Sequence, residues 1–373
     1  MADDARGHRD AQGRDAALIA LDWGTTTFRA WLMDGTGAVL DGIRTDDGAL
    51  AVSGSADSAR ARAAVFEETF TRLCRGWLDE HPGVPVLCAG MAGSNHGWAE
   101  AGYLDVPAEL SRLAEHLTVV PAGDSVVHLV PGLRATGTDP DVMRGEEVQL
   151  AGALAVHTDR PETVVLPGTH SKWVRLDGTR VTGFSTAMTG ELYGLLLRDS
   201  ILARLATGEP GTEVTDAFVR GLDAETAQGD ERALAALLFT TRPLVLAARL
   251  DAAEVADYVS GLLIGAEVRH ALRSAPAAVV VLCGPPATEH RYRFALERGG
   301  ATVRTVGEDV AAHGLWRVAL DAGLATAPSH PSGPATGPGS SSPAALSTAA
   351  LSTAALSPAA LSTAAPSTAE EPA

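Results

Sequence analysis

The feature that most limits what this chain can fold into is a pattern that occurs twice: strand, Gly/Thr turn, strand, tight turn, strand. The first copy reads ALIALD (17–22), WGTTT, FRAWLM (28–33), a DGTG turn and AVLDGI. The second reads TVVLPG (163–168), then SKWVRLDG, then TRVTGFST. Apolar segments joined by such short turns form antiparallel meanders. Each meander is followed by helical stretches and a further buried strand. In the first half, apolar residues from Ala61 to Trp77 recur at helical spacing over 58–79, and VPVLCAG (84–90) follows. In the second, GELYGLLLRDSILARL (190–205) and the 251–273 segment precede AAVVVLCG (277–284) and a helix over 287–298. The repetition predicts a duplicated α/β unit with a cleft between its halves.

A chain of 373 residues has room for two such units, each with its own core. We place one lobe at 16–158 and the other at 159–325. The charged stretch 1–15 reads as a flexible arm with no apolar signal segment. Residues 326–373 are rich in Pro, Gly and Ser and run into five tandem five-residue units from Ala344. Such a composition offers too little apolar surface to bury, which predicts a disordered tail.

A net charge of −17 disfavours nucleic acid and anionic membrane surfaces as partners, because both require a basic face. Any anionic ligand must be met by local donors instead: loop amides, helix N-termini and a few placed cations. Cys74, Cys88 and Cys283 are far apart and odd in number, which suits a reducing cytoplasm better than a disulfide framework. The expected setting is cytoplasmic, with a small molecule as the partner, and the sequence leaves a homodimer open. The 29 basic side chains are 28 arginines and one lysine, Lys172. Lysine supplies a compact point charge that the planar arginine fork does not.

Five motifs carry candidate chemistry. In Asp22-Trp23-Gly24-Thr25-Thr26-Thr27, glycine lets backbone approach a ligand, and the Thr amides and hydroxyls can cradle phosphate. Asp22 could hold Mg²⁺ through waters. The same hexamer also serves as an ordinary hairpin. Pro167-Gly168-Thr169-His170-Ser171-Lys172 repeats the arrangement in the second half, and its lysine could neutralise a transferring phosphoryl group or bind a carboxylate. Read as structure alone, Lys172 is a strand residue pointing to water. Arg144-Gly145-Glu146-Glu147 opens a helix, where carboxylates favour the dipole. Either Glu146 or Glu147 could instead accept a proton from an attacking hydroxyl. The loop Gly90–Trp98 offers Ser94, Asn95 and Trp98 to a polyhydroxy ligand. Finally, Gly284 ends a buried strand and could pass close to an adenine or ribose.

Taken together, IALDWGTTTFRAW (19–31), GMAGSNHGW (90–98), DVMRGEEVQLAGA (141–153), LPGTHSKWV (166–174), MTGELYGLLL (188–197) and SGLLIGAEV (260–268) resemble the 2-dehydro-3-deoxygalactonokinases, spanning about 19–320. The continuation AEAGYLDVPAEL departs from that family's Pro- and Cys-containing pattern. The resemblance implies a two-lobed actin-like (RNase H-like) ATPase fold with mixed sheets and an interlobe cleft. It also implies Mg-ATP-dependent phosphorylation of a sugar acid, 2-dehydro-3-deoxy-D-galactonate, at its 6-hydroxyl. By the same resemblance Asp22 faces the metal, and Gly24, Thr25 and Thr26 form the first phosphate loop. Gly168 and Thr169 form the second, Gly284 meets the adenosine, and Glu146 or Glu147 stands where related kinases keep an acid. A kinase for another sugar acid or ketose, a non-catalytic sugar-acid sensor and an ATP-dependent ring-opening hydrolase are the competing readings.

Overall fold

The computed structural model describes residues 15–326 except 55, 157–160, 209–210, 230, 275–278 and 308–309. Apart from Asp15 and Thr326, the expected arm and tail lie outside these residues, as does the expected lobe boundary at 158/159.

The first half begins with β1 (Ala16–Trp23), β2 (Phe28–Asp34) and β3 (Val39–Thr45), an antiparallel meander in which Asp22 lies opposite Arg29. Helices α1 (Ala49–Ser53) and α2 (Ala59–Glu80) lead to β4 (Val86–Gly90), which joins β1 in parallel. The α2 N-terminus is set by Ser58, whose side chain accepts the Ala61 N–H at 3.2 Å. Short strands follow: β5 (Tyr103–Asp105), β6 (Ala108–Glu109), β7 (Thr118–Ala122), β8 (Ser125–Leu129), β9 (Gly132–Ala135) and β10 (Asp141–Met143). The first sheet runs β3-β2-β1-β4-β8-β7, and β10-β9-β5 form a small separate sheet.

Helix α3 (Glu146–Val156) leads to the second half, with β11 (Thr163–Leu166), β12 (Ser171–Asp177), β13 (Arg180–Ala187), β14 (Val279–Cys283) and β15 (Thr302–Val306). Its sheet runs β15-β14-β11-β12-β13-β6. Both halves thus place an opening strand between an antiparallel meander on one side and a parallel neighbour on the other. Helices α4 (Thr189–Asp199), α5 (Asp216–Gln228), α6 (Leu234–Leu246) and α7 (Val255–Ser274) are inserted between β13 and β14. Helix α8 (Pro286–Arg298) joins β14 to β15, and α9 (Val310–Asp321) returns to pack on α3 and β1. Each half lends the other an element, β6 in one direction and α9 in the other. No helix among the described residues is long and apolar enough to cross a membrane, and the three cysteines are free and buried.

Alternation along the strands decides which side chains meet. Leu18 and Ala20 of β1, Trp31 and Met33 of β2, Val164 and Leu166 of β11 and Val174 and Leu176 of β12 share one core with α3 and α9. The opposite rows face away: Ile19, Leu21 and Trp23 pack with α2, and Val165 and Trp173 with Tyr292 and Leu296 of α8. Asp22, Arg29 and Lys172 continue the inner rows in the two-residue period. The polar ends of apolar rows therefore emerge on the same side.

Helices α3 and α9 cross through two glycines. A Cβ on Gly314 would lie 1.7 Å from Val148 O, and one on Gly152 1.9 Å from Val310 O. The helix expected over 190–205 ends earlier, at Asp199. Ser200 turns the chain: its hydroxyl donates to Leu196 O at 2.5 Å and accepts the Leu202 N–H at 3.0 Å, competing with the helical ladder.

Candidate active site

The strand ends of both sheets open on one cavity of about 570 Å³. The first Gly/Thr loop closes through Gly24 N–H to Thr27 O at 2.9 Å. It is braced from behind by the start of α1, where Ala49 and Leu50 donate to Gly24 O and Thr25 O. Only glycine fits at position 48, since a Cβ there would sit 2.2 Å from the Thr26 carbonyl carbon. The second loop is braced in the same way by α4. Glu191 N–H donates to Thr169 O at 3.0 Å, and a Cβ on Gly190 would lie 2.3 Å from Gly168 O. Gly24, Thr25, Thr26, Gly168 and Thr169 all line the cavity, and so does Gly284.

Lys172 is 5 % exposed, so it does not point to open water. Its Nζ donates to Val142 O and to Thr186 Oγ1, each at 2.9 Å. That uses two of the ammonium's three donors. Asp22 lines the same cavity and is paired with Arg29, a residue the sequence reading did not single out. The strand FRAWLM did contain the signal: a cation in an otherwise apolar alternating segment, directly across from Asp22.

The two neighbouring glutamates part company. Glu146 lines the cavity, and its Oε2 accepts the Arg144 N–H at 3.0 Å. Burial pushes its carboxyl above the ordinary value, against the pull of Lys172. Glu147 is not a cavity residue. It is fully buried, its Oε2 accepts the Gly145 N–H at 2.7 Å, and its Oε1 has no partner. Burial, then the adjacent Glu146 carboxylate, push it up to about 8. Successive helical residues point about 100° apart, so only one of the pair can face the cavity.

Ser94 and Asn95 line the cavity as expected, and Trp98 does not. Its ring is 4 % exposed and packs 5.6 Å from Phe70 and 6.0 Å from Trp23, plugging the loop into the core beneath α2. The tightness of this corner comes from Gly90, whose φ is +88° and whose Cβ would lie 2.5 Å from Trp23 O. Arg44, Tyr103, Arg144, Gln149 and Gly307 also line the cavity, and none of them was a site candidate from the sequence.

The donor set suits a bound nucleotide: two braced backbone turns face one space, with a cation beside them. For a divalent cation, no group of three or more His, Cys, Asp or Glu among the described residues could hold it alone. Mg²⁺ beside phosphates needs only one or two carboxylates, and Arg29 takes Asp22 Oδ2 while Oδ1 remains for an ion held through water. The residues present fit such an ion.

These features agree with what the chain resembles. The 2-keto-3-deoxy-galactonokinase family matches residues 22–318. The 2-dehydro-3-deoxygalactonokinase of Escherichia coli (strain K12) is 38% identical over 301 residues, covering 79% of this chain and 94% of the relative. A candidate enzyme of the same name from Rhizobium meliloti (strain 1021) is 39% identical over 299 residues, covering 78% and 92%. The crystal structure of a candidate 2-dehydro-3-deoxygalactonokinase from Sinorhizobium meliloti superimposes with a TM-score of 0.71 at 37% identity, over 81% of this chain and 98% of that one. With this match running through both loops, the Glu146 helix and α9, the chain belongs to the 2-keto-3-deoxy-galactonokinase family.

Proposed function

We propose that the chain transfers the γ-phosphoryl group of ATP to the 6-hydroxyl of 2-dehydro-3-deoxy-D-galactonate, giving the 6-phosphate and ADP. The observation that carries this reading is the convergence of two separately braced Gly/Thr turns on a cavity that also holds Glu146 and Lys172. A triphosphate held from both sides by backbone amides needs little further chemistry from the protein beyond positioning and charge stabilisation.

Glu146 takes the proton of the 6-hydroxyl as its oxygen bonds to phosphorus and the bond to the β-phosphate oxygen breaks. Its raised proton affinity suits that task, and Lys172 close by keeps the empty carboxylate available. The remaining donor of Lys172 stabilises the transferring oxygens. Gly24, Thr25, Thr26, Gly168 and Thr169 hold the phosphates, and Gly284 lies against the adenosine. Asp22 would hold Mg²⁺ through water, and the ion would supply neutralisation of phosphate charge. Ser94 and Asn95 contact the sugar hydroxyls. The halves 16–158 and 159–325 act as lobes that close on the substrates and exclude water.

The test is ADP release measured across 2-dehydro-3-deoxy-galactonate, -gluconate and plain hexoses, with the product identified by mass. A phosphorylated galactonate derivative as the preferred product is expected, whereas ADP release with no phosphorylated sugar would end the kinase reading. Lys172→Met should lower kcat by about 10²-fold or more while leaving the far-ultraviolet circular dichroism unchanged. Wild-type turnover in that variant would remove the lysine from the mechanism.

A further inference from the structure

The cavity of this acidic chain contains four cationic side chains, and three are engaged on the phosphate side. Arg29 is held by Asp22. Arg44 stands beside Arg29 on the next strand. Lys172 is tied to Val142 and Thr186 and influences Glu146. Arg144 is different. It follows β10 and reaches back towards β5, where its guanidinium lies 4.3 Å over the Tyr103 ring and Nη2 donates to Gly102 O at 2.9 Å. Space for it is kept by Gly93, at which a Cβ would come within 2.9 Å of Nη1.

Arg144 makes no ion pair among the described residues, and its Nε and Nη1 are shielded from water without any hydrogen-bond partner. Unsatisfied guanidinium donors are costly, because water that would have solvated them has been removed. The nearby acids accept no hydrogen bond from its side chain, although its charge pulls the Glu147 carboxyl down against burial. Glu146 uses Oε2 on the Arg144 backbone N–H, and Glu147 is turned to the Gly145 N–H. An oriented cation over an aromatic ring, with one Nη2 hydrogen not used by Gly102 and with Ser94 and Asn95 lining the same cavity, matches a planar carboxylate better than a hydroxyl.

We propose that Arg144 binds the C1 carboxylate of the substrate and thereby selects sugar acids over neutral sugars, an inference that rests on the phosphoryl-transfer reading of this cavity. The Tyr103 ring faces the guanidinium, and the Gly102 carbonyl fixes its rotation. The substrate then lies with its acid end at Arg144 and its hydroxyl end towards Glu146 and Lys172.

Arg144→Met leaves an unbranched apolar side chain at this position and removes the charge. Steady-state kinetics would compare it with wild type on 2-dehydro-3-deoxy-galactonate and on the matching 3-deoxy-hexulose, which carries a C1 hydroxymethyl group in place of the carboxylate. The expected result is a KM for the acid raised roughly ten- to hundredfold, with kcat within a few fold and the hexulose kinetics unchanged. Equal losses on both substrates, or an acid KM within threefold of wild type, would overturn the assignment. Should Arg144→Met fail to fold, Arg144→Lys keeps the charge without the fork and is judged by the same acid-to-hexulose ratio. If wild type ignores 2-dehydro-3-deoxy-galactonate but phosphorylates another sugar acid, the substrate reading fails, and the ratio measured on that acid still decides Arg144.

Discussion

Glu146 and Glu147 show how much one residue of helical rotation decides. Their side chains leave the same turn of α3, yet one faces a cavity with a lysine and the other enters a dry interior. Glu147 acts as a neutral acid whose proton is held by burial up to about pH 8, against an ordinary value of 4.5. The unfolded chain ionises this carboxyl freely above its ordinary pKa, whereas the folded chain resists. Stability from this group is therefore complete below about pH 4.5 and drains away as pH rises towards about 8. Glu147→Gln has no such proton to lose. Denaturant midpoints measured from pH 5 to 8 should fall less steeply in the variant, and parallel slopes would show that Glu147 is not a buried titrating group. Lys172 was legible from the sequence because composition isolated it. Trp98 was not, since an aromatic in a Gly/Asn loop reads equally as a ligand wall or a core plug, and only its neighbours Trp23, Phe66 and Phe70 tell which.

Among the elements, helices α2, α7 and α8 and the strands of the two meanders were legible from their periodicity, whereas α5, α6 and α9 were not read from the sequence. Helix α2 was expected over 58–79 and runs Ala59–Glu80, with Phe66, Phe70, Cys74 and Trp77 on its buried side. The strands β5, β6 and β10 are two or three residues long and carry too few side chains to show a period. The bracing glycines were equally invisible, because Gly48 and Gly190 matter through the loops they touch and not through their own segments. The α3–α9 crossing carries a sharp prediction. Helix propensity alone would make Gly314→Ala stabilising by about 1 kcal/mol. The added methyl would meet Val148 O at 1.7 Å, so the helices must separate, at a cost of roughly 1–3 kcal/mol or more. A lowered Tm is expected on balance, and a Tm at or above wild type would mean that the crossing is looser than its geometry implies.

At the scale of the whole molecule, two loops that share one ligand couple binding to stability. ATP at a hundred times its Kd should stabilise the folded state by about 2.7 kcal/mol, and each kcal/mol is worth about 2–4 °C in a unit of this size. Gly168→Ala probes the coupling, because the protein itself has room there: the nearest atoms to an added Cβ are 4.0 Å away. The variant should melt as wild type does without nucleotide and lose most of the ATP-induced rise. A full rise would place the phosphates elsewhere.

The sequence by itself determined the duplicated strand–turn–strand pattern, the two Gly/Thr turns and the uniqueness of the lysine, because these are local regularities of spacing and composition. Only the tertiary structure decided that the turns share a cavity, that Glu146 rather than Glu147 reaches it, and that Trp98 leaves it while Arg29 and Arg144 enter. Those outcomes depend on which faces of distant strands and helices are buried against one another, and no window along the chain contains both partners.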